Sequence, residues 1–208
     1  MPAVQNRVYI EPEAAGEVRL EAVLHLPESA TAAVAVCHPH PQYGGDMDNY
    51  VVTALCEALT GAGVAALRFN FRGTGTSEGV HEDGEGEVRD LASALRWLKN
   101  DRQFARVAAC GYSFGAHVAN RAQDVAAIAC ISPANPLVAT EAPLLVAIGD
   151  RDQFMPVERL QGFVEQHDNV TLEVSATDDH FWPAGLATMA ARASEFLAEH
   201  LEREQVNG

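Results

Sequence analysis

Positive charge is what this sequence has least of. Its 14 Lys and Arg stand against 29 Asp and Glu, a formal net charge of −15. Such a surface repels phosphate backbones, so no nucleic-acid partner is expected. Long apolar runs are also missing. None approaches the roughly 20 residues that a bilayer requires, so no membrane span is expected. The first residues, Met1 to Arg7, carry no apolar signal core, and export is not expected. Cysteine is scarce: Cys37, Cys56, Cys110 and Cys130 stand singly, without a Cys-x-x-Cys pair. Three of them sit inside apolar runs, the pattern of buried thiols in a reducing compartment, which makes the cytoplasm the expected location. Internal repeats and low-complexity segments are absent as well.

What remains is 208 residues, 48% of them hydrophobic, enough for one globular domain spanning the chain. Residues 1–6 and 203–208 are expected to be frayed tails. Much of the acid lies in Glu78, Glu82, Asp83, Glu85, Glu87 and Asp90. It reads as a solvated loop and the first turn of a helix, where negative charge suits the helix dipole, rather than as a calcium site.

Val8 to Ile10 and Val18 to Leu26 alternate apolar and polar residues, as a half-exposed antiparallel hairpin does. Ala32 to Cys37 is a continuous apolar run that suits a strand covered on both faces. Strands are then expected at Val64–Phe69, Val107–Cys110, Val125–Ile131, Leu144–Ile148 and Val170–Val174. Helical spacing covers Asp48–Thr60, Glu87–Lys99, Ala116–Gln123, Pro156–Gln166 and Pro183–Glu204. This alternation predicts an α/β fold: a doubly wound, mostly parallel sheet with helices on both faces and ligands beyond the carboxyl ends of the strands.

The most informative stretch is Val107 to His117, a buried strand that runs into Gly111-Tyr112-Ser113-Phe114-Gly115 and then into a helix. A serine hydroxyl is a poor nucleophile unless it is held in the open beside a base. A tight strand-to-helix turn does this and aims helix amides at the same point. The turn is crowded, which is why small residues are needed two before and two after the serine. Ser113 is the candidate nucleophile.

Such a serine needs a histidine base oriented by a carboxylate. His180, after the last strand in Thr177-Asp178-Asp179-His180-Phe181-Trp182, is the best-placed of eight histidines. The strand ending in Gly149-Asp150-Arg151-Asp152 supplies Asp152, with Asp150 as its rival; Asp178 and Asp179 fit better as turn caps. The chain order Ser113, Asp152, His180 is that of the α/β-hydrolase arrangement.

With these residues the chain resembles the α/β-hydrolase superfamily, most closely the small, lidless, dienelactone-hydrolase-like bacterial hydrolases. The resemblance runs from about Val18 to Leu201. It rests on His38-Pro39-His40-Pro41-Gln42-Tyr43-Gly44-Gly45, Arg68 to Ser77, Gly111 to Gly115, Gly149-x-x-Asp152 and Asp179-His180-Phe181. Dienelactone hydrolases use a cysteine nucleophile, so that activity does not carry over to Ser113. The resemblance implies an oxyanion hole formed by the Phe114 amide and one amide of the loop after the third strand. Pro39 and Pro41 have no N–H. His40 aligns best, with Gln42 and Tyr43 as alternatives. It assigns Arg72 and Ser77 structural roles. The short connection from Ser132 to Pro143 leaves no room for a cap domain, so an open, shallow site is expected. Tyr43, Tyr112, Phe154, Phe181 and Trp182 are its candidate walls, each fitting core or rim packing at least as well.

Two other chemistries are weaker. His38-x-His40 is a pair that zinc hydrolases use, but no further ligand follows at suitable spacing. Gly73-Thr74-Gly75-Thr76-Ser77-Glu78-Gly79 has its third glycine one residue late for a dinucleotide loop, and no helix follows it. The expected function is a cofactor-free, metal-free serine hydrolase acting on a small acyl substrate, an ester or thioester. A peptidase or amidase, and a binding protein that has kept the fold without turnover, are the alternatives.

Overall fold

A computed structural model describes residues 4–203. Eight strands form one sheet in the order β1-β2-β4-β3-β5-β6-β7-β8. They are β1 (Val4–Ile10), β2 (Leu20–Leu26), β3 (Ala32–Cys37), β4 (Ala65–Phe69), β5 (Arg106–Tyr112), β6 (Ile128–Ile131), β7 (Leu144–Gly149) and β8 (Val170–Ser175). β2 pairs antiparallel with β1 and with β4. All other pairings are parallel, as the βα alternation dictates.

Among the described residues five α-helices cover the sheet: α1 (Tyr50–Gly61), α2 (Glu85–Asn100), α3 (Phe114–Ala119), α4 (Val157–Val164) and α5 (Leu186–Glu202). Alternation along each strand divides the core. On β3, Ala33, Ala35 and Cys37 join the cluster with Leu91 and Leu98 of α2. Val34 and Val36 face the opposite way, toward Leu55 of α1 and Leu197 of α5. Both faces are therefore dry, which explains strands that read as continuous apolar runs.

The expected fold class is the observed one, with helices on both faces and no cap inserted between β6 and β7. Several boundaries differ. Residues 1–3 and 204–208 of the expected tails lie outside the described residues, while Val4, Gln5 and Asn6 pair with Leu26, His25 and Leu24. α5 begins at Leu186 rather than Pro183, because Asp178 Oδ1 accepts the Ala184 and Gly185 amides at 2.9 Å each and holds them in a turn. Glu87 and Asp90, expected on a solvated face, are 0% and 1% exposed. Asp90 meets the buried Arg72 guanidinium at 2.8 Å. Glu87 accepts the Glu82 and Gly84 amides and faces His81 Nδ1 at 2.8 Å. Among the described residues no helix is long and apolar enough to cross a membrane.

Candidate active site

The centre of the site is the turn from β5 into α3. Ser113 sits there with φ 58° and ψ −116°, a conformation L-residues avoid and retain only where the surroundings enforce it. The enforcement is visible on both sides. A Cβ on Gly111 would lie 2.0 Å from the Gly115 carbonyl oxygen, and a Cβ on Gly115 would lie 2.3 Å from that of Cys37. No other residue type fits either position without moving backbone. The Ser113 amide donates to the Ile131 carbonyl at 2.9 Å, which ties the turn to the end of β6. The side chain stands at the carboxyl end of the sheet, half-buried.

Beyond β7, the backbone at Gly149 packs so closely on the loop after β8 that a Cβ would meet the Asp178 carbonyl at 2.3 Å. This contact brings Asp152 and His180 together. Asp152 Oδ2 lies 2.9 Å from His180 Nδ1, and His180 Nε2 lies 3.0 Å from Ser113 Oγ. A carboxylate only accepts, so Nδ1 carries the proton and Nε2 is left to accept from the serine hydroxyl. Asp152 Oδ1 also takes the Phe154 and Met155 amides, at 2.9 and 3.2 Å. Burial pushes this carboxyl up. The His180 hydrogen bond and the two amides together outweigh burial and hold it below its ordinary value.

The rival carboxylates are engaged elsewhere. Asp150 Oδ1 accepts the Thr177 amide at 2.8 Å. Asp178 holds Ser175 and the start of α5, and Asp179 accepts the Phe181 amide at 2.8 Å.

The loop after β3 packs over the N-terminus of α3, with the His40 and Phe114 rings 4.8 Å apart. Of the three amides expected to compete there, that of Gln42 donates to His40 Nδ1 (3.2 Å) and that of Tyr43 to the His40 carbonyl (3.1 Å). Both are consumed in the short 3-10 turn Pro41–Tyr43, whereas no acceptor among the described residues takes the amide of His40 or of Phe114. His38 is fully buried, with Nδ1 2.6 Å from the Pro39 carbonyl and Nε2 accepting the Phe71 amide at 3.0 Å. Both of its ring nitrogens are thus used to join the loops after β3 and β4. Among the described residues no three His, Cys, Asp or Glu side chains gather as a metal site.

The expected aromatic walls divide in two. Tyr43, Phe154 and Phe181 are exposed, and the Phe154 and Phe181 rings stand 4.5 and 5.5 Å from that of His180. Tyr112 and Trp182, candidates for either a wall or the core, are core residues at 2% and 3% exposure and not walls, because their rings fill the layer under α1 and α5. Arg72 and Ser77 hold structural positions. Arg72 is pinned by Asp90 and Glu82, and Ser77 Oγ joins the Asn70 carbonyl to the Glu21 amide. One residue near the site had no signal in the sequence: Tyr50, at the start of α1, whose hydroxyl reaches the loop that carries His180.

An eight-stranded, mostly parallel sheet with a serine on the turn after β5, and no lid between β6 and β7, is the α/β-hydrolase fold in its lidless form. Within that class the chain belongs to the X-Pro dipeptidyl-peptidase (S15) family, whose model matches residues 15–188. It is 31% identical over 187 residues to the uncharacterized protein RP471 of Rickettsia prowazekii (strain Madrid E), covering 80% of this chain and 79% of that one. Among solved structures it is similar to an alpha-beta serine hydrolase homologue from Coxiella burnetii. That likeness has 31% identity and a TM-score of 0.83, over 92% of this chain and 97% of that one. It is also similar to XC6422 from Xanthomonas campestris, a serine hydrolase without a lid, with 27% identity, a TM-score of 0.86 and 98% of both chains covered. Fold, family and neighbours together support hydrolase activity.

Proposed function

We propose that the protein is a serine hydrolase that cleaves carboxylic ester or thioester bonds through an acyl-enzyme. The observation that carries this reading is the continuous contact from Asp152 through His180 to Ser113 Oγ, 2.9 and 3.0 Å. His180 Nε2 takes the hydroxyl proton as Ser113 attacks the carbonyl carbon, then returns it to the departing alkoxide or thiolate. Water, deprotonated by the same nitrogen, releases the acid. Asp152 keeps the proton on Nδ1 and stabilises the imidazolium formed in each half-reaction. The amides of Phe114 and His40 are the donors assigned to the oxyanion, each worth about 10²–10³ in rate. The reaction needs no cofactor, and the four buried free thiols fit a cytoplasmic setting.

An ester is favoured because the site is bounded by exposed single aromatics, Tyr43, Phe154 and Phe181, with no inserted cap to hold an extended chain. An alcohol or thiol leaves readily without such support. A peptidase is the second reading, and the X-Pro dipeptidyl-peptidase family model favours it. A panel of p-nitrophenyl esters of rising chain length, acyl-CoA thioesters and X-Pro p-nitroanilides separates the readings. Turnover of short esters at far higher kcat/KM than any X-Pro anilide is expected. Preference for the anilides would replace the esterase reading with the peptidase one.

A further inference from the structure

The loop that carries His180 has little regular structure of its own. It turns through Thr177 at φ 72° and Trp182 at φ 54° before α5 begins. Backbone carbonyls in such a loop need donors from elsewhere, and an imidazole on an unsupported loop cannot hold a contact fixed to a few tenths of an ångström. Two consecutive carbonyls of this loop receive phenols. The Tyr112 hydroxyl donates to the His180 carbonyl at 3.0 Å, and the Tyr50 hydroxyl donates to that of Phe181 at 2.5 Å. Tyr112 is the residue immediately before Ser113, at the end of β5. Tyr50 opens α1, the helix that follows the Pro41–Tyr43 loop.

We propose that Tyr112 and Tyr50 are positioning residues that set the distance between His180 and Ser113 by clamping the carbonyls of residues 180 and 181 to the serine turn and to α1. The inference rests on the assignment of His180 as the general base. Tyr112 is well placed for the task, since its backbone fixes the serine and its side chain fixes the histidine. One rigid ring therefore spans the two reacting groups. It is 2% exposed and does not line the substrate site, so its influence passes through His180. Burial, reinforced by the neighbouring Tyr50 and the Asp152 and Asp179 carboxylates, pushes the Tyr112 phenol well above its ordinary value. The donor therefore stays protonated across any ordinary assay range. Trp182 Nε1, donating to Ser132 Oγ at 3.0 Å, secures the same loop to β6 and keeps it attached when a phenol is removed.

The test compares wild type with Tyr112→Phe, Tyr50→Phe and the double variant, each keeping the ring and losing only the hydroxyl. Four readouts are taken: kcat and KM on one p-nitrophenyl ester, the rate of fluorophosphonate labelling, the melting temperature, and the far-downfield proton resonance of His180 Nδ1–H. For Tyr112→Phe, kcat and the labelling rate fall about 10- to 100-fold with KM unchanged, the cost of a misplacement of up to an ångström. The downfield resonance broadens, and the assay runs well below the melting temperature. Tyr50→Phe loses less, because its bond is one residue further from the imidazole. Wild-type kcat and an unchanged resonance in both single variants would overturn the clamp even if the melting temperature dropped, since that is the signature of a purely structural pair. Should Tyr112→Phe fail to fold, Tyr50→Phe decides by the same readouts. Wild-type protein that neither turns over nor labels would instead remove the hydrolase assignment itself, a result distinct from failure of the clamp.

Discussion

His38 offers a perturbation whose size follows from its surroundings. Its ring is fully buried at the end of β3, donating from Nδ1 to the Pro39 carbonyl and accepting the Phe71 amide on Nε2. Burial lowers its pKa, and the Pro39 carbonyl opposes the shift only in part, so the value drops from 6.5 to about 4. A proton on Nε2 would remove the acceptor that the Phe71 amide needs. Because the folded value lies below the unfolded one, acid favours the unfolded chain. The stability His38 contributes is complete above pH 6.5, declines as the pH falls toward 4, and is gone below it. At 1.36 kcal/mol per unit, the whole gap amounts to about 3 kcal/mol, of which about 2 kcal/mol has gone by pH 5. The assay is urea unfolding followed by tryptophan fluorescence at about pH 7.5 and about pH 5, for wild type and His38→Gln. Glutamine keeps one donor and one acceptor but does not titrate. The other histidines with lowered values, His25, His40 and His117, are present in both proteins and cancel in the comparison. The variant is less stable at the higher pH, and its deficit shrinks by about 2 kcal/mol at the lower one. Deficits equal at the two pH values would refute a buried neutral imidazole at this position.

Gly115→Ala puts a Cβ 2.3 Å from the Cys37 carbonyl and lowers stability by about 3 kcal/mol or more, read as a fall in melting temperature of roughly 6–12 °C. Asp90→Ala strips the buried Arg72 of its main partner and costs about 3–5 kcal/mol by chemical denaturation. The double change Arg72→Met with Asp90→Leu costs less than Asp90→Ala alone, because no unpaired charge is left inside. Asp152→Asn leaves the fold intact and lowers kcat about 10⁴-fold, because the amide stabilises the wrong imidazole tautomer; circular dichroism and ester turnover check the two halves.

The order of elements was legible because each strand carries its own signal. Ala32–Cys37 and Leu144–Gly149 are apolar on both faces, and the structure covers both. The serine turn was legible for a steric reason, since two glycines at fixed distances from Ser113 answer two backbone approaches near 2 Å. The contacts of Asp152 with His180 and of His180 with Ser113 also follow positions read from strand ends. What escaped the sequence depends on partners far away in it. Glu87 and Asp90 look like ordinary helix-start acids, and only the long reach of Arg72 and the fold of the His81 loop take them out of water. Tyr112 and Trp182 fit a site wall and the core equally well in the sequence, because adjacency in the chain to Ser113 and His180 does not say which way a ring points. The role of Tyr50 depends on a contact across 131 positions, for which local spacing carries no trace.

The proposed chemistry requires one serine, activated by His180 and Asp152, to form a covalent bond to the substrate. Intact-mass analysis after treatment with a fluorophosphonate tests it most directly. A single adduct on Ser113 is expected in the wild-type protein, slowed in His180→Ala and missing in Ser113→Ala. A folded wild-type protein that stays unmodified, or an adduct that persists in Ser113→Ala, would contradict it.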